Sequence, residues 1–208
     1  MAGGDAKLGR AVRARRALRL SLCAAPIAAV LAAEAARWPI TVRADPPRLE
    51  WSMFRRVDAM PDPSEDAHIA AEISFPQPLR VERVDGRYRL PPFTITVALE
   101  PGRTMVRRSL GRADDLLRHE QGHFDIVLLA ARALARELES TSASSGSELT
   151  SLVESRVAKH TERAERLSEE YDRQTDRSRD PAAQRWWNER IAAALRDSTI
   201  TRIAGLAL

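Results

Sequence analysis

The chain has 208 residues, 33 of them basic and 29 acidic, with one cysteine; this length suits one domain plus a processing segment rather than a multidomain array. Residues 1–35 hold six of the basic residues and two of the acidic ones, which leaves 27 of each, so the remainder is formally neutral. The positive net charge therefore gives no warrant for nucleic-acid binding, and because Cys23 lies in that first segment, the rest of the chain has neither disulfides nor cysteine ligands.

The N-terminal segment has the layout of an export signal. Lys7, Arg10, Arg13, Arg15, Arg16 and Arg19 precede an uncharged run of 14 residues from Leu20 to Ala33, followed by Ala33-Glu34-Ala35 at a cleavage-like position. That run is short for a membrane span, which needs about 20 residues. The expectation is a signal peptide over 1–35, cleaved near Ala35, and a single periplasmic or secreted domain over 36–208. No stable membrane association is expected after cleavage.

Residues 36–110 are rich in proline and short apolar runs, the pattern of strands and loops. Phe93, Ile95, Val97 and Leu99 alternate with Thr94, Thr96 and Ala98, which predicts a half-buried strand. Val84-Asp85-Gly86-Arg87 places Asp-Gly between two β-like runs and predicts a hairpin. Trp51, Phe54 and Phe75 are candidate core residues of this half. From Ala113 to about Ser140 the apolar spacing becomes helical, through Leu116, Val127, Ala131, Leu134 and Leu138. A turn over Thr141–Gly146 precedes a second helix with the stripe Leu149, Val153, His160, Ala164, Leu167 and Tyr171. Asp180-Pro181 predicts the N-cap and first residue of a third helix, burying Trp187 and Ile191. The fold expected is α+β, a small, mainly antiparallel sheet followed by one long helix and two further helices.

The chemistry is carried by His119-Glu120-Gln121-Gly122-His123 inside the first helix. Residues four apart share a helix face, so both imidazoles can reach one Zn²⁺, with Glu120 beside it as general base toward water. Gly122 costs about 1 kcal/mol against alanine within a helix, which predicts close approach of another group there.

Two histidines leave a catalytic zinc one protein ligand short. His68 lies in the strand half, and His160 falls about 10 Å below the metal level if the two long helices are antiparallel and start level. The same register brings Glu165, Glu169, Asp172 and Asp176 within about two turns of the metal. Asp172 is favoured, because it adjoins Tyr171 of the apolar stripe.

The string Leu117-Arg118-His119-Glu120-Gln121-Gly122-His123-Phe124-Asp125-Ile126 resembles the centre of a bacterial family predicted to be exported zinc-dependent proteases, domain of unknown function nine hundred and twenty-two. Leu49-Glu50-Trp51-Ser52-Met53-Phe54, Tyr171-Asp172-Arg173-Gln174-Thr175 and Gln184 to Ile191 look like its other landmarks, so the resemblance spans about 48–195. It implies a zincin-like fold, Zn²⁺ held by His119, His123 and Asp172, Glu120 as catalytic base, and a peptide or protein substrate. One departure matters: Arg177-Ser178 stand where the family pattern has His-Gly. That favours, as an alternative, a non-catalytic envelope domain that keeps the fold to bind a peptide or protein. If the chain is a peptidase, the strand over Phe93–Leu99 is expected to pair with extended substrate through its edge.

Overall fold

A computed structural model describes residues 40–76, 78–110 and 113–208. The expected export segment, residues 1–35, lies outside them. The first half contains eight strands: β1 (Thr41–Asp45), β2 (Arg55–Val57), β3 (Ala67–His68), β4 (Ala71–Ser74), β5 (Glu82–Val84), β6 (Arg87–Arg89), β7 (Thr94–Leu99) and β8 (Met105–Arg107). Helix α1 (Asp114–Glu139), strand β9 (Ser142–Ala143), helices α2 (Gly146–Thr175) and α3 (Pro181–Arg196), and the strand pair β10 (Arg202–Ile203) and β11 (Leu206–Ala207) complete it.

The α+β expectation holds, but the single sheet becomes three small ones in the strand half. These have the orders β1-β7-β4, β2-β8-β3 and β5-β6-β9. The first two are mixed, because β1 runs parallel to β7 and β2 parallel to β8. Prolines keep these strands short, and no long antiparallel meander forms. β7 is the strand of period-two sequence, with Ile95 and Val97 completely buried. The β5–β6 hairpin turns at Asp85 and Gly86, which have φ of 50° and 76°, as a two-residue turn with the right-handed strand twist requires. Thr141–Gly146 is more than a turn: its Ser142 and Ala143 form β9 and pair with β6.

Helix α1 is covered on both sides, which explains its broad apolar surface. Phe124, Leu128, Ala131 and Leu134 pack with Ile73, Ile95 and Val97 of the sheet. Ile126, Leu129 and Ala130 pack with Leu167, Tyr171, Trp187 and Ile191 of α2 and α3. Ser145 caps α2, its side chain accepting the Glu148 N–H, and Asp180 caps α3, accepting from Ala182 and Ala183 with Pro181 as first helical residue. Among the described residues no helix is long and apolar enough to cross a membrane.

The helix register differs from expectation. Tyr171 of α2 lies against Gly122, and His160 Nε2 meets Glu137 at 2.9 Å near the far end of α1. The metal level therefore falls at Tyr171–Asp172 rather than Leu167, and His160 sits about 18 Å along α2 from Asp172. The cause is the connection: β9 extends beyond the end of α1 to join β6, so the two helices do not start level.

Candidate metal centre

The first turns of α1 place His119, Glu120 and His123 against the C-terminal end of α2. His119 Nε2 and His123 Nε2 are each 3.0 Å from Asp172 Oδ1 and 3.2 Å from one another. Among the described residues these three are the group of ligand-type atoms close enough to hold an ion. Ligand atoms bound at 2.0–2.1 Å around a tetrahedral zinc stand about 3.3 Å apart, so the spacing and the donor set fit such an ion. Glu165 and Glu169 lie on the exposed face of α2, and Asp176 ends the helix beside Arg179.

Hydrogen bonds fix the tautomer of His119. The Tyr171 hydroxyl donates to the His119 carbonyl at 3.2 Å, so it accepts from Gln184, whose facing group must be the amide nitrogen. The other end of that amide is the oxygen, 3.0 Å from His119 Nδ1. Nδ1 therefore carries the proton, and the Nε2 lone pair faces Asp172 and His123. The Tyr171 ring stacks on His119 with centroids 4.6 Å apart and an interplanar angle of 18°, and it occupies the space that a side chain at residue 122 would take. The close approach predicted at Gly122 is thus made by Tyr171.

Charge states in the site match ligand chemistry. Burial pushes His123 toward the neutral form, outweighing its hydrogen bond with Asp172. Burial alone would raise Asp172, but its close approach to His119 and His123, each at 3.0 Å, outweighs it and holds the carboxyl well below its ordinary range. Neutral imidazoles and an ionised carboxylate are the forms that bind metal. Glu120 is buried, and burial first, then the negative charges of Asp172 and Glu65, push it up to about 8 against a hydrogen bond from the Ile69 N–H. A divalent cation at the triad opposes this shift, because its charge favours the carboxylate.

Gln121 faces the other way. Its side-chain oxygen accepts the Leu49 N–H and its nitrogen donates to Asp125 Oδ1, both at 2.8 Å, tying the segment before β2 to the metal helix. Arg177, where the pattern that the sequence resembles has histidine, adds no group to the triad. It follows Asp176 in a left-handed turn, with φ of 47°, 51° and 73° at Asp176, Arg177 and Ser178, and its guanidinium reaches the Ser64 hydroxyl and the Asp62 carboxylate. The third of these φ values is one that glycine adopts without strain.

One sequence expectation is corrected at the sheet beside the site. β7 has no free edge, since β1 takes one side and β4 the other; the edges of that sheet are β1 and β4. His68, read only as a residue of the strand half, stands with Glu65 on the segment that leads to Ile69 and the Glu120 carboxylate. Gln184 also had no role assigned, although its place three residues before Trp187 puts it on the buried face of α3.

Residues 83–180 match the model of a family described as "Bacterial protein of unknown function (DUF922)". The match spans the metal helix and the Tyr171-Asp172 motif and supports the family that the sequence resembles. No curated protein and no solved structure matches the chain.

Proposed function

We propose that the protein is a zinc-dependent peptidase acting outside the cytoplasm, in the periplasm or secreted medium. The observation that carries this reading is the convergence of His119, His123 and Asp172 on one point with the buried Glu120 beside them. In this reading the three side chains hold Zn²⁺, whose Lewis acidity polarises the substrate carbonyl and makes water a nucleophile near neutral pH. Glu120 takes the proton of the attacking water and returns it to the leaving amine. Gln184 keeps the His119 proton on Nδ1, and Tyr171 holds that ring in place. The N-terminal layout of basic residues and an apolar run supports export.

The purified protein is expected to carry about one zinc per chain, lost in His123→Ala and kept in Glu120→Gln. A mixed peptide library is expected to be cleaved by the wild type and left intact by Glu120→Gln. A well-folded protein that takes up no zinc overturns the proposal. Zinc uptake without Glu120-dependent cleavage supports the non-catalytic binding domain instead.

A further inference from the structure

We infer that the cleft between the C-terminal half of α1, the middle of α2 and the β10–β11 strand pair binds a small dianion, with Arg136 and Arg202 as its free guanidinium groups. The site is separate from the metal triad, since His160, which lines the cleft, stands about 18 Å along α2 from Asp172.

The cleft has a volume of about 430 Å³, the size of a small-ligand site. Three arginines line it, one from each element: Arg136 from α1, Arg163 from α2 and Arg202 from β10. The strand pair is held in place beside α2, because Ile203 and Leu208 are buried in one cluster with Ala164 and Leu167. Like charges brought to one cavity repel each other, so their gathering there calls for a counter-charge.

The chain supplies that counter-charge only in part. Glu137, the acidic residue of the lining, is already paired with Lys159 at 2.8 Å and Arg156 at 3.3 Å. Arg163 donates through Nη1 to the Leu208 carbonyl at 3.0 Å. Arg202 uses Nε on the Gly205 carbonyl at 3.1 Å, and among the described residues its two Nη groups have no partner. Arg136 is exposed and has neither a hydrogen bond nor an ion pair among the described residues; the negative end of α1 offsets only part of its charge. Two guanidinium groups are left over.

A guanidinium presents a planar fork of donors that matches a carboxylate or a phosphate. Two such forks at one cavity suit a ligand with two negative charges, a phosphate monoester or a dicarboxylate. A second observation points the same way. The His160 ring also lines the cleft, and its Nδ1 is buried without a hydrogen-bond partner. Buried polar atoms are nearly always paired, so this nitrogen calls for a partner from outside the chain.

The test is calorimetric titration of the purified protein with inorganic phosphate and, separately, with succinate, both at constant ionic strength. One-to-one binding of at least one anion is expected, and comparison of the two tells phosphate from carboxylate chemistry. Arg136→Gln is expected to weaken that binding about tenfold, through loss of a charge-assisted hydrogen bond. Arg136→Lys keeps the charge without the fork and is expected to lie between the two. Arg56→Gln removes the same charge from an exposed position on β2 and is expected to leave affinity unchanged. The imidazole NMR signals of His160 are expected to shift on binding, which separates this site from any binding at the triad. Binding of neither anion overturns the inference, as does an affinity that Arg136→Gln leaves unchanged or that Arg56→Gln lowers equally.

Discussion

A Cβ placed on Gly122 would lie 2.6 Å from Cζ of Tyr171. Non-bonded carbon atoms do not approach that closely, so the helix carrying the two histidines can pass Tyr171 as placed only with a glycine between them. Gly122→Ala is expected to gain up to about 1 kcal/mol of helix propensity and to lose about 1–3 kcal/mol in overpacking. Tyr171 is completely buried against Trp187, at 5.3 Å between ring centroids, and has little room to retreat. Net destabilisation with weakened zinc binding is expected, measured by denaturant unfolding and by chelator competition. A variant as stable as wild type with unchanged zinc affinity would show that Tyr171 moves freely.

Gln184 gives a sharper test of how the ligands are oriented. Gln184→Leu removes the acceptor of the His119 Nδ1–H and leaves the Tyr171 hydroxyl without its donor. Loss of such an outer partner lowers metal affinity by about 10–100-fold. Gln184→Glu keeps an acceptor for Nδ1–H and adds negative charge near the ion, so its zinc affinity is expected to exceed that of Gln184→Leu clearly. Competition with a fluorescent chelator ranks the two. Equal affinities would mean that the tautomer of His119 is set elsewhere.

Gln121 separates fold from chemistry within the same helix turn. Its amide joins the Leu49 N–H to Asp125 and points away from the triad. Gln121→Leu leaves the Leu49 N–H and Asp125 without this partner, at about 1–3 kcal/mol. Zinc stoichiometry is expected to stay near one per chain while the unfolding midpoint drops. Loss of zinc in a folded Gln121→Leu protein would refute this division of labour.

The sequence made the helices and the two histidines of the candidate site legible because these are local: a 3.6-residue period, a Ser145 or Asp180 cap, and a four-residue spacing all act within a few turns. Asp172 was reached from its neighbour Tyr171 and from a register estimate that was four residues off, since the course of β9 depends on its pairing with β6. β7 was legible as a strand, but its place between β1 and β4 was not, because partners far apart in sequence decide which edges are free. The bond from the Ile69 N–H to Glu120 was missed for the same reason. Nothing near residue 68 signals that the Ile69 N–H ends on Glu120.

The cluster around Glu137, remote from the triad, makes stability depend on pH. Lys159 holds Glu137 at 2.8 Å and His160 at 2.9 Å, with Arg156 at 3.3 Å. Chiefly through the Lys159 hydrogen bond, and against a smaller burial effect, the carboxyl falls from its ordinary 4.5 to about 2. Its folded-state affinity for protons is thus below its unfolded one, so the unfolded chain binds more protons in this range. The stability this group contributes is fully present above pH 4.5 and is lost as pH falls from 4.5 toward 2. The Glu137 side chain is 31% exposed, and solvent screening brings the contribution to about 1–2 kcal/mol. Glu137→Gln is therefore expected to be less stable than wild type by about that amount at pH 7, with the gap closing as pH falls toward 3. Urea unfolding of both proteins across this range measures the gap, and a difference that stays constant with pH would mean that Glu137 acts through packing rather than charge.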